Sequence, residues 1–62
     1  PLSRSERTEL QRLLTAAGFD TQGVDGILGA NTKAAVRAYQ RSIGAVADGY
    51  PSYALLQQLR GS

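Results

Sequence analysis

The sequence contains neither cysteine nor histidine. Their absence removes disulfide bonds, thiolate catalysis and the usual His/Cys zinc sites together, so packing must hold the fold. It assigns no compartment, because many proteins of oxidising environments also lack cysteine. No apolar run approaches the length of a membrane span, and no basic n-region with an apolar h-region marks a signal peptide. Charge of one sign is also scarce: seven Lys or Arg against five Asp or Glu leave a net +2, too little to argue for nucleic acid by itself. What remains is 42% hydrophobic and 19% charged residues in a chain of 62, the balance of a single folded domain near the lower size limit for a hydrophobic core. The chain opens on Pro1, which suggests a segment of something longer with any targeting signal outside it.

Periodicity predicts three helices. The first is expected over Ser3 to Gly18, with Ser3 and Glu6 at capping-box spacing and Ser5 as a competing cap. At about 100° per residue, Leu10, Leu13, Leu14 and Ala17 share an arc, with Thr8, Arg12 and Thr15 opposite. The second is expected over Ala30 to Ile43, burying Thr32, Ala35, Val36, Tyr39 and Ile43, with Lys33, Arg37 and Arg41 in a row on a separate face. Gly18 and Gly44 supply the left-handed residues that end these two helices. The third should run from Pro51 at its first position to Arg60, contributing Leu55, Leu56 and Leu59.

The segment from Phe19 to Gly29 is too rich in glycine and aspartate for a regular element and is expected to be an ordered loop with an Asx-type turn, its apolar flanks tucked inward. Val24-Asp25-Gly26-Ile27 is echoed by Ala47-Asp48-Gly49-Tyr50, one local solution used before two helices. The expected core is Leu10, Leu13, Leu14, Val36, Tyr39, Ile43, Leu55 and Leu59, joined by Val24, Ile27 and Leu28.

The joints of this chain resemble the three-helix peptidoglycan-binding domain. The residues that carry the likeness are Leu10-Gln11 with Leu14, Gly18-Phe19, Val24-Asp25-Gly26-Ile27-Leu28-Gly29 with Thr32, Ala35-Val36, Tyr39-Gln40, Gly44, Asp48-Gly49 and Leu59. The ending Ala47-Asp48-Gly49-Tyr50-Pro51-Ser52 is similar to the module at the C-terminus of lytic murein transglycosylases. Ala30 and Leu55 depart from the proline and threonine common in the family, without threat to a helical fold. The resemblance implies an all-α three-helix module over residues 1–62 that binds peptidoglycan, a cell-envelope location, and a catalytic domain in the same parent chain. It implies no cofactor, metal or catalytic residue within the module, which is expected to be a monomer.

Asp20, Asp25 and Asp48 are the candidates for hydrolytic carboxylates, but glycoside hydrolysis usually needs two carboxyl groups across a sugar-filled cleft, and the turns themselves account for aspartate. The Lys33, Arg37, Arg41 row allows a second reading as a nucleic-acid or protein-binding helical domain. The long loop before the second helix and the sparse base-reading residues oppose a helix-turn-helix. For peptidoglycan, two locations stand side by side. One is the entrance of the second helix, where unpaired amides and the dipole favour a stem-peptide carboxylate, with Asp25, Gly26, Gly29, Asn31, Thr32 and Lys33. The other applies if Asp25 already caps that helix, and lies near Tyr39, Gln40, Asp48 and Tyr50. Gln40 either presents its amide to ligand or bonds a loop backbone; Tyr50 and Tyr53 flank Pro51 as a candidate sugar or peptide surface.

Overall fold

The computed structural model describes residues 1–61; Ser62, the last residue of the expected module, lies outside them. The described residues form three helices and no strand: α1 (Arg4–Ala16), α2 (Ala30–Ser42) and α3 (Tyr53–Arg60). Helix α1 is the shared partner on which both α2 and α3 pack. No helix among the described residues is long and apolar enough to cross a membrane.

Ser3 wins the competition for the first cap: its Oγ accepts from Glu6 N–H at 3.2 Å while Glu6 Oε1 accepts from Ser3 N–H at 2.8 Å, the reciprocal capping box that the spacing predicts. Both long helices close on the same device. Phe19 N–H reaches back to the Leu14 carbonyl and Gly18 N–H to that of Thr15; Ala45 and Gly44 do the same with Gln40 and Arg41. These Schellman closures need a left-handed residue after the cap. The third helix starts later than its proline suggests. Ser52 is the N-cap, its hydroxyl accepting from Leu55 N–H at 3.1 Å, so Pro51 stands before the cap rather than at the first helical position.

Leu10, Leu14, Val36 and Leu56 are wholly enclosed, and Leu2, Ala35, Tyr39, Leu55 and Leu59 complete the buried set. Leu13, Phe19 and Leu28 pack on its edge, and Phe19 meets Tyr39 edge to face at 5.8 Å, a preferred aromatic geometry. Leu2, outside the expected core, is buried by the entry of the chain into α1, where Arg7 Nη1 donates to its carbonyl at 2.8 Å.

Three expected core residues are exposed instead: Val24 at 41%, Ile27 at 63% and Ile43 at 42%. The first two are exposed for one physical reason. The Asp25 and Gly26 amides and the Ile27 carbonyl turn toward α1 to meet the Gln11 side chain. The loop therefore docks by its backbone, and the flanking side chains face outward. Ile43 fails differently, because as the C-cap of α2 it has left helical geometry (φ −103°, ψ 7°) and the helical arc no longer applies to it.

The second Asp-Gly turn approaches α2 closely. A Cβ on Gly49, whose φ is +72°, would lie 2.9 Å from Arg37 Nη1, 3.0 Å from its Cγ and 3.3 Å from the Lys33 carbonyl. Gly49→Ala combines left-handed strain with a backbone contact that cannot swing away, and is expected to destabilise the domain by about 1–3 kcal/mol. At this chain size that lowers the thermal midpoint by roughly 5–20 °C, a shift that circular dichroism melting will measure. An unchanged midpoint would mean that the loop is free to move off α2.

Candidate functional site

The two Asp-Gly turns share a construction that includes a glutamine from the preceding helix. In the first, Gln11 Oε1 accepts from Gly26 N–H at 2.8 Å and Gln11 Nε2 donates to Asp25 Oδ1 at 3.2 Å, which also accepts from Ile27 N–H at 2.9 Å. In the second, Gln40 Oε1 accepts from Gly49 N–H at 2.9 Å and Gln40 Nε2 donates to Asp48 Oδ1 at 2.9 Å, which also accepts from Tyr50 N–H at 2.9 Å. Gln–Asp–Gly is thus one clamp used twice, and the echo in sequence is its trace. Of the two readings of Gln40, the loop bond is the one observed. Its amide is buried and committed to the turn, and Tyr39 beside it is core.

Gln11 does more than its counterpart. It also accepts from Asp25 N–H at 3.0 Å and donates to the Ile27 carbonyl at 2.9 Å and to Thr32 Oγ1 at 3.0 Å. One buried amide thereby ties α1, the loop and the first turn of α2 together, and fixes where the α2 entrance points.

That entrance is open. Gly29 is the N-cap of α2 in extended geometry (φ −89°, ψ −170°), with no side-chain cap and no acidic residue in the first turn. Asp25 caps its own turn through Ile27 and not the helix, so the alternative in which it occupies the α2 donors is not the one observed. Helices α1 and α3, by contrast, carry serine caps. A depression of about 170 Å³ lies over the α2 entrance. Gly29, Ala30, Asn31 and Thr32 line it from the start of α2, and Thr21, Gln22 and Gly23 line it from the loop, as a rim. Asp25 lines it too, Gly26 sits beneath as the buried clamp partner, and Lys33 stands exposed one residue beyond.

Of the ten residues singled out from sequence, Asp25, Gly29, Asn31 and Thr32 come together at this depression. Gln40 and Asp48 form the second clamp. Tyr50, 66% exposed, lines a separate depression of about 400 Å³ with Leu2, Glu6, Pro51 and Tyr53. Sequence reasoning missed the Thr21–Gly23 rim. Gln22 holds a positive φ of 64°, an unusual setting for a non-glycine residue, supported by its N–H donating to Asp20 Oδ1 at 2.9 Å. The Asp-x-x-Gly pattern signals a turn there, but not that its outer residue faces the α2 entrance.

The aspartates are not poised as acids. The Ile27 N–H and then the Gln11 amide hold the Asp25 carboxyl below the ordinary aspartate range, and the Tyr50 N–H and the Gln40 amide do the same to Asp48. Glu9 is likewise held down by Arg60, whose Nη2 lies 2.7 Å from Glu9 Oε1. A lowered folded-state pKa contributes stability that is complete above the unfolded value, near 4, and is lost as pH falls through the folded value. The melting temperature is therefore expected to be flat from neutrality to about pH 5 and to fall below about pH 4. The acid limb should be shallower in the Asp25→Asn, Asp48→Asn variant. Equal slopes for parent and variant in melts over pH 2–7 would refute the assignment. Among the described residues no three acidic side chains converge as metal ligands would.

Two clamped turns on a three-helix scaffold, with an open helix entrance under a polar depression, define a small helical ligand-binding module. A comparison with curated protein sequences finds no significant match. The chain belongs to the peptidoglycan-binding domain family: residues 3–59 match the family described as "Putative peptidoglycan binding domain". Two solved structures of SltB3 from Pseudomonas aeruginosa are similar to it, one in complex with NAG-anhNAM-pentapeptide and one with NAG-NAM-pentapeptide. Each superposes with a TM-score of 0.94 at 62% identity, over 97% of this chain and 16% of the SltB3 chain. The chain therefore spans about a sixth of that protein's length.

Proposed function

We propose that this domain binds peptidoglycan without cleaving it, taking a stem-peptide carboxylate at the α2 entrance. The observation that carries the reading is the uncapped first turn of α2, with Gly29 as its cap residue, beneath the 170 Å³ depression. The first amides of a helix lack internal partners and sit at the positive end of its dipole, so they favour an anion. A peptidoglycan stem peptide offers a carboxylate of suitable size, with amides for Asn31 and the Thr21–Gly23 rim. Family membership and the muropeptide complexes of SltB3 support this ligand. The second location is weaker, because Gln40 and Asp48 spend their polar atoms on each other and on their turn.

Catalysis is assigned elsewhere, to another domain of a parent cell-wall lytic enzyme of the murein transglycosylase kind, located in the cell envelope. The module would raise that domain's local concentration on the wall through tethering. Asp25 and Asp48, held ionised by their turns, are the opposite of a general acid of raised pKa. The domain should sediment with purified sacculi, with chitin and duplex DNA as controls, and release no soluble muropeptide. Failure to sediment would defeat the binding claim, and reproducible release would defeat the non-catalytic one.

A further inference from the structure

All five acidic residues are engaged within the fold. Glu6 accepts from Ser3 N–H, Asp20 from Gln22 N–H, Asp25 from Ile27 N–H and Asp48 from Tyr50 N–H, while Glu9 pairs with Arg60. Arg4 and Arg7 are equally committed, to the Asp25, Gly26 and Leu2 carbonyls. Among the described residues this leaves Arg12, Lys33, Arg37 and Arg41 with neither an ion pair nor a hydrogen bond from the side chain. Three of the four stand at intervals of four on α2, a row about 12 Å long that begins beside the depression. The row is seated as well as charged: Gly49, without a Cβ, lets the Arg37 side chain lie against the second turn.

Resting on the peptidoglycan reading above, we infer that the Lys33, Arg37, Arg41 row is a second contact surface that engages carboxylates of further stem peptides along the polymer, while the α2 entrance holds one. The row places three positive charges side by side in a chain whose net charge is +2, and among the described residues no acidic side chain pairs with any of the three. Peptidoglycan presents carboxylates repeatedly along its strands, so a linear row of cations matches it in sign and in form. Exposed charges act through solvent and each adds modestly, but several acting on one polymer add through avidity. The row therefore discriminates the intact wall from a single soluble muropeptide, which fills the entrance alone.

The test compares the parent domain with the Lys33→Gln, Arg37→Gln, Arg41→Gln variant on sacculi and on a soluble disaccharide pentapeptide, from low to high salt. The triple variant is expected to lose about tenfold or more on sacculi at low salt, from roughly two- to threefold per charge. Its residual binding should depend less steeply on salt than that of the parent, which loses the contribution of the row as the Debye length shortens. The Arg37→Gln, Arg41→Gln variant, which keeps Lys33 at the entrance, should still lose about fourfold or more on sacculi while its affinity for the soluble muropeptide changes less than about twofold, and Arg37→Lys should bind sacculi as the parent does. Arg12→Gln removes one charge from the exposed face of α1 and should have no effect. Unchanged sacculus binding by the triple variant overturns the row alone, as does a loss in Arg12→Gln equal to that in Arg37→Gln. Tighter retention of the parent on duplex DNA than on sacculi at physiological salt also overturns it. A parent domain that fails to bind sacculi at all defeats the underlying peptidoglycan reading.

Discussion

Replacing Gln11 by alanine is expected to cost the domain about 3–5 kcal/mol, the largest loss among polar substitutions in the chain. Gln11 is 1% exposed, with its carbonyl taking the Asp25 and Gly26 amides and its NH₂ shared among Asp25 Oδ1, the Ile27 carbonyl and Thr32 Oγ1. Truncation leaves the two amides without their acceptor, at about 1–3 kcal/mol each where water cannot replace it, and opens a void beside Leu10 and Leu14. A domain of this size has a total stability of roughly 3–9 kcal/mol. Gln11→Ala should therefore melt more than about 12 °C below the parent, or be largely unfolded at 37 °C. Gln40→Ala breaks fewer bonds, to Gly49 N–H and Asp48 Oδ1, and should cost about half as much. Urea titrations of both variants measure the difference. A Gln11→Ala loss below about 1 kcal/mol would show that water substitutes for the amide and that the clamp does not organise the loop.

Gly29→Asp should move stability and binding in opposite directions. Gly29 has extended geometry that any residue adopts, and a Cβ there meets nothing within 4 Å. Aspartate at this position can cap the first amides of α2 and place a negative charge at the positive end of its dipole, which stabilises the fold by about 0.5–1 kcal/mol. The same carboxylate then sits where the ligand's carboxylate should go. Charge-assisted hydrogen bonds worth about 1.5–3 kcal/mol are lost to the ligand, so muropeptide affinity should fall at least about tenfold. Gly29→Ser, a neutral cap, should show a smaller fall. A purely structural entrance would give the gain in melting temperature with unchanged affinity, so melting combined with calorimetric titration separates the two roles.

The helices were legible because α1 carries a start in Ser3 with Glu6, α1 and α2 carry stops in Gly18 and Gly44, and α3 shows a three-leucine arc, although its start was placed two residues early. The site was legible in part. Asp25, Gly29, Asn31 and Thr32 are contiguous with the α2 start, so sequence proximity alone brings them together. Gln11 carries part of the family likeness but was given no role, although Gln40 was, because a polar residue about 60° beyond Leu14 on the helix looks like any border position until the loop folds back over it. The same event explains Val24 and Ile27. Apolar character predicted burial, but the buried partner offered by α1 was an amide, and an amide recruits backbone rather than side chains. The Thr21–Gly23 rim shows the same limit, since turn chemistry announces a bend without giving the direction in which the chain then leaves.

Whether the α2 entrance holds the ligand is decided by backbone amide chemical-shift mapping with a soluble disaccharide pentapeptide. Shifts are expected to centre on Gly29 to Lys33 and on Thr21 to Gly23, with smaller changes at the clamped turn of Asp25 to Ile27. The Asp48 to Tyr50 turn should remain unperturbed. Shifts confined to Thr8, Arg12 and Thr15 on the outer face of α1, or centred on Gln40 and Asp48 to Tyr50, would contradict the account.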